Sequence, residues 1–81
     1  MSRKKITVSD ISSKGIAKLI QLACLYNSEI ILEDEHYRIN AKSLMGVMAF
    51  HPAKGTPISI IATGDDELEA LSAVGNFLAQ G

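Results

Sequence analysis

Apolar and polar residues change rhythm several times along these 81 residues, and each change marks an element. Ile6-Thr7-Val8 alternates, which reads as a short first strand. From Ile16 the spacing turns helical. Ile16, Leu19, Ile20, Ala23 and Cys24 fall at i, i+3, i+4, i+7 and i+8, so one helical face is apolar from end to end. Ser12 or Ser13 can cap this helix, and Asn27-Ser28 ends it. The compact run Glu29 to Leu32 and the alternating Tyr37, Ile39 and Ala41 read as a hairpin, joined by the acidic turn Asp34-Glu35-His36. A short helix follows from about Leu44 to Phe50, stopped by Pro52 and the Lys54-Gly55 turn. Ile58 to Ala62 is the fourth strand, broken by Gly64. Asp65 is placed to cap a last helix with Asp66, Glu67 and Glu69 in its first turns, where the dipole favours negative charge. Leu68, Leu71, Val74 and Leu78 supply its buried stripe, and Gly75 suits close approach of another backbone.

The order β-α-β-β-α-β-α predicts an α+β fold, one domain over residues 1–81, with an antiparallel sheet carrying its helices on one face. A chain this short buries only about 60% of its unfolded surface, which leaves little stability for a deep cavity. Hydrophobic residues at 47% and charged residues at 21% fit a folded protein, not a disordered one. The net charge of -1 gives no field that would favour nucleic acid or an anionic membrane. Arg3-Lys4-Lys5 reads as a run that solvates the N-terminus. The strand and helix order also occurs in RNA-recognition folds, but those need exposed aromatics and basic residues on the sheet. Tyr26, Tyr37, Phe50 and Phe77 are the only aromatics, so stacking is poorly served.

Cys24 is the single cysteine, which rules out a disulfide within the chain and suits a reducing compartment. Its place on the apolar stripe predicts a packed thiol. Neither His36, expected in a solvated turn, nor His51 pairs with Cys24 at a metal-ligand spacing, so no metal or cofactor is expected. No signal-peptide pattern or bilayer-length apolar run is present, and a cytoplasmic location is the expectation.

The richest local pattern is Lys42-Ser43-Leu44-Met45-Gly46-Val47-Met48. Ser43 stands at the helix N-cap, where its hydroxyl can satisfy a free backbone N–H, worth about 1 kcal/mol. Leu44, Met45 and Met48 follow at helical spacing, and methionines are adaptable contact makers. A capped helix with a core stripe accounts for these residues. So does a modifiable hydroxyl: a phosphate there would put close to two negative charges at the positive end of a helix, beside an apolar surface.

Several segments resemble one family. Leu19-Ile20-Gln21 with Ala23 and Tyr26, the run Asn40 to Met48, and Ala53-Lys54-Gly55 followed by Ile58 are similar to the histidine-containing phosphocarrier (HPr) family of the bacterial sugar phosphotransferase system and its regulatory paralogues. The resemblance covers nearly the whole chain and implies an open-faced β-sandwich, four strands backed by three helices. It also exposes a departure. Where such carriers have a histidine-alanine-arginine-proline segment, this chain reads Ser12-Ser13-Lys14-Gly15. The loop between Val8 and Ile11 is shorter than in those carriers and lacks their glycine. Histidine exchanges phosphoryl groups with another phosphohistidine in near balance, whereas a serine ester would trap the group. Lys14 offers a point charge where arginine offers a fork.

The resemblance therefore implies a regulatory adaptor, not an enzyme. In that family a bifunctional HPr kinase/phosphorylase modifies the serine matching Ser43, and a LacI-type transcription regulator is the partner. Leu44, Met45 and Met48 would form the docking surface. The alternative is a divergent carrier fed from phosphoenolpyruvate through a displaced acceptor, either Ser12 or His51, the latter placed by the resemblance near the usual active centre.

Overall fold

Every predicted element is present in the computed structural model, which describes residues 1–80: β1 (Ser2–Thr7), α1 (Ser13–Ala23), β2 (Glu29–Glu33), β3 (Arg38–Asn40), α2 (Leu44–Phe50), β4 (Pro57–Thr63) and α3 (Glu67–Gln80). Gly81 and the Ser13 side chain lie outside the described residues, so the domain's last residue and the Ser13 alternative for the first cap are not addressed. The strands form one antiparallel sheet in the order β1-β4-β2-β3. The α+β open-faced sandwich follows, with α3 over β1 and β4, α2 beside β3, and α1 packed on the other two helices.

Strand register explains why one face is covered. Side chains alternate across a strand, so residues directly opposite one another share a face. Ile6 stands opposite Ile58, Leu32 opposite Ile60, and Ile30 opposite Ala62. All six are buried, with Leu19 and Ala23 of α1, Val47 of α2, and Ala70, Val74 and Leu78 of α3. The other face carries rows of Lys5-Ser59-Glu33-Arg38 and Arg3-Ile61-Ile31-Asn40. Arg3 Nη1 meets Glu33 Oε1 at 3.1 Å, and Arg38 Nη1 lies 3.8 Å from Glu33 Oε2. The first pair crosses β4 beside Ile61, which is only 2% exposed although no helix covers it. Arg3, Lys4 and Lys5 lie on the edge strand β1, where charge discourages pairing with another chain.

Two consecutive carboxylates tie remote segments to the start of α3. Asp66 accepts from Asn27 N at 2.8 Å, from Ser28 N at 2.9 Å and from the buried Ser28 hydroxyl. Glu67 accepts from the Ser2 hydroxyl and from Gly64 N, and meets the Met1 amine at 3.2 Å. These donors hold both carboxyls below the usual carboxylate range: the Ser28 hydroxyl and then Asn27 N–H for Asp66, the Ser2 hydroxyl and then Gly64 N–H for Glu67. Gly64 permits the junction. At φ 154°, a Cβ there would stand 2.7 Å from Ser28 Cα.

Four expectations about side chains need correction. Helix α1 ends at Ala23, not at Asn27-Ser28, and Cys24 is its C-cap with an exposed thiol. Cys24 keeps the helical bond from its N to Ile20 O at 3.0 Å, but its side chain lies about 100° round the helix from buried Ala23, on the flank of the Leu19–Ala23 face. Leu68 is 68% exposed; the buried stripe of α3 is Ala70, Val74, Gly75 and Leu78, and Leu68 lies roughly a quarter-turn from its middle. Asp65 is exposed and caps nothing, since α3 begins at Glu67 and Ala70 N bonds to Asp66 O. Gly75 admits no backbone: a Cβ there would meet the Lys4 stem at 3.4 Å and Ile60 Cδ1 at 3.7 Å.

Two outcomes follow. Ile60→Ala removes a fully buried side chain from the central strand and lowers stability by about 2–5 kcal/mol in urea titrations. Asp66 and Glu67 have folded pKa values below their unfolded ones, so their contribution is complete above the usual carboxylate range and is lost as pH falls through it. Melting temperatures recorded from neutral to strongly acid pH will show Asp66→Asn less stable at neutrality. Its acid limb will be shallower, and the two proteins will converge in acid.

Candidate functional site

The segment after β3 delivers Ser43 through a chain of local bonds. Asn40 Oδ1 accepts from Lys42 N at 2.8 Å, an Asx-turn, and Ser43 N donates to Asn40 O at 3.0 Å. Lys42 Nζ reaches back to Tyr26 O at 2.7 Å and so ties the turn to the end of α1. Ser43 then takes the extended conformation of an N-cap, φ -97° and ψ 116°. Its Oγ accepts from Gly46 N at 3.1 Å, and its carbonyl accepts from Val47 N at 2.9 Å.

Val47 is the buried anchor of α2. With that anchor set, the opposite side of the helix faces outward: Leu44 is 54% exposed, Met45 82% and Met48 58%. They form an apolar strip beside a half-buried hydroxyl, so these side chains are not a core stripe. No acidic residue stands in the first turn of α2 to neutralise its positive end.

Helix α2 closes on His51, whose backbone is left-handed at φ 47° and whose N–H returns to Val47 O at 2.8 Å. Histidine tolerates that conformation better than most side chains, and buried Pro52 prevents continuation. The imidazole is exposed. Sequence spacing marked a helix stop here but carried no signal of the left-handed cap. It carried none for the Lys42–Tyr26 tether either, although Asn40 two residues before Lys42 is a readable Asx-turn pattern.

Ser12 caps α1 in the same manner, its Oγ accepting from Gly15 N at 3.3 Å. It is exposed on the rim of a shallow depression where Lys14, Lys18, Asp10 and Phe77 converge, and His51 is not among the lining residues. His36 lies in the β2–β3 turn, where its N–H and that of Tyr37 donate to Asp34 Oδ1 and hold that carboxyl below its usual range. Among the described residues no group of three or more histidine, cysteine, aspartate or glutamate side chains could hold a metal ion. Nor is any described helix long and apolar enough to cross a membrane.

Comparison with known proteins gives a consistent picture. A family model described as "PTS HPr component phosphorylation site" matches residues 5–80. The HPr-like protein Crh of Bacillus subtilis (strain 168) is 31% identical over 83 residues, covering 99% of this chain and 98% of the relative. The phosphocarrier protein HPr of Treponema pallidum (strain Nichols) is 38% identical over 64 residues, 79% of this chain and 73% of the relative. The crystal structure of a phosphocarrier protein HPr from Bacillus anthracis str. Ames matches with a TM-score of 0.90 at 30% identity, covering 95% of each chain.

The cap itself is testable without any partner. Ser43→Ala leaves Gly46 N–H without its acceptor and lowers stability by about 1 kcal/mol, read as a shifted urea midpoint at constant slope. An unshifted midpoint would mean that water serves that donor equally well.

Proposed function

This chain belongs to the HPr family of the phosphotransferase system, and on that premise we propose that it is a regulatory adaptor of carbon catabolite control, switched by phosphorylation on Ser43. Members of the family are carriers or regulators rather than enzymes in the usual sense. The reading is carried by one contrast. A half-buried capping hydroxyl stands beside exposed Leu44, Met45 and Met48, while Ser12, which the family resemblance matches to the carriers' phosphohistidine, is a cap beside lysines.

A phosphate on Ser43 would bring about −1.5 to −2 charges to the start of α2, where an unneutralised backbone dipole favours them. The new anion and the apolar strip together make a composite surface. A partner with an apolar groove and a nearby arginine would read the modified form and reject the unmodified one. By family resemblance the modifying enzyme is an HPr kinase/phosphorylase and the reader a LacI-type transcription regulator, with the exchange taking place in the cytoplasm. Carrier activity through Ser12 or His51 draws no comparable support. Lys14 and Lys18 near Ser12 cannot supply the planar fork that clamps a transferring phosphoryl group. The His51 imidazole is exposed on the cap of α2 and lies off the depression at Ser12.

Incubation with HPr kinase/phosphorylase and ATP, followed by mass spectrometry of peptides, will find one phosphate on Ser43 and none on Ser43→Ala. Failure of the unsubstituted protein to take phosphate would remove the proposal. A parallel incubation with phosphoenolpyruvate and the upstream transfer enzyme will leave both histidines unlabelled. An acid-labile adduct on His51 would instead make the chain a carrier.

A further inference from the structure

The two serine caps share the spacing Ser-x-x-Gly, yet the glycines are there for different reasons. At α1, a methyl group built on Gly15 would stand 3.8 Å from Ser12 Oγ, an ordinary contact, and would collide instead with Ile11 Cγ2 at 2.5 Å. At α2 the crowding falls on the serine. A methyl on Gly46 would stand 3.2 Å from Ser43 Oγ and 3.3 Å from Ser43 Cβ, with Ile39 Cβ 3.6 Å away. Ile39 is packed against the core and already at contact distance from such a methyl, so there is no free space on that side for it to move into. Relief must come from Ser43, by rotation about χ1 or by a displacement of a few tenths of an ångström, and either disturbs the 3.1 Å bond from Gly46 N.

We infer that Gly46 is a positioning residue for the modification of Ser43: its missing side chain leaves the hydroxyl uncrowded in the capping rotamer. This rests on the reading of Ser43 as acceptor. In the transfer, Ser43 Oγ bonds to the γ-phosphorus of ATP as the bond from that phosphorus to the bridging oxygen breaks. ADP leaves with the electron pair, and the hydroxyl proton passes to a basic group of the kinase. The attacking oxygen has to lie in line with the leaving one, so small displacements are costly.

Gly46→Ala separates this role from a structural one, because alanine is the better helix former and supports α2 while it crowds Ser43. With HPr kinase/phosphorylase and ATP, kcat for the variant will fall about tenfold. KM will stay within about twofold, since Leu44, Met45 and Met48 are unchanged and carry the docking. The melting temperature will be retained. Equal kcat values for variant and parent, or an effect confined to KM, would overturn the inference and leave Ser43 as acceptor. A loss of kcat that merely tracks a lowered melting temperature would overturn it as well. If the parent protein takes no phosphate on Ser43, the acceptor reading itself fails, and this is seen before the variant is assayed.

Discussion

The strand that arrives last in the sheet occupies its middle. β4 bonds to β1 along one edge and to β2 along the other, so an N-terminal strand and a central hairpin are joined through residues 57–63. Ile58, Ile60 and Ala62 then have to share one face, with Ile6 on β1 and Leu32 and Ile30 on β2 as their apolar cross-strand partners, while Lys4 and Ser2 face Ile60 and Ala62 from the edge strand. This alignment leaves the three helices one surface to cover. It also sets where α2 can lie, because β3 hangs from β2 at the sheet's far edge and α2 follows directly.

Hydrogen bonds at the periphery then hold pieces that the core alone would leave free. Asp66 gathers the segment before β2, Glu67 gathers the start of β1, and Lys42 fastens the turn before α2 to the end of α1. Each joins residues far apart in the chain, and among the described residues no buried side-chain polar atom is left without a partner. The cap at Ser43 depends on this fastening. Its position is the product of an Asx-turn, a lysine tether and one buried valine, while the side chains around it remain open to solvent.

Ser12 and Ser43 show how little a local motif decides. Both accept a hydrogen bond from a glycine three residues on. Ser12 is flanked by lysines over a shallow depression; Ser43 is flanked by an apolar strip. The likeness to the HPr family is spread over residues 5–80, yet two caps of the same form within it have opposite surroundings.

Much of this was legible because it is local. Helix α2 runs from Leu44 to Phe50 as its cap and Pro52 indicate, and β2, β3 and β4 follow their apolar runs to within a residue. Strand β1 instead starts at Ser2, four residues before the expected Ile6, because pairing with β4 draws the charged Arg3-Lys4-Lys5 into the strand. Periodicity failed at element ends. Cys24 and Leu68 are spaced as core residues, yet Cys24 falls on the flank of the Leu19–Ala23 face and Leu68 lies in the first turn of α3, ahead of the buried Ala70, so both stay outside. Asp65 and Asp66 are equivalent as text, and only the nearness of Ser28 chose the second and turned its carboxylate away from its own helix. Sequence alone determined which segments are helix or strand and that a serine caps α2, since neighbours in the chain carry that information. The tertiary structure decided which face of α2 meets the core, which carboxylate bridges and how much room Ser43 has, because those depend on atoms that are distant in sequence and adjacent only once the sheet has formed.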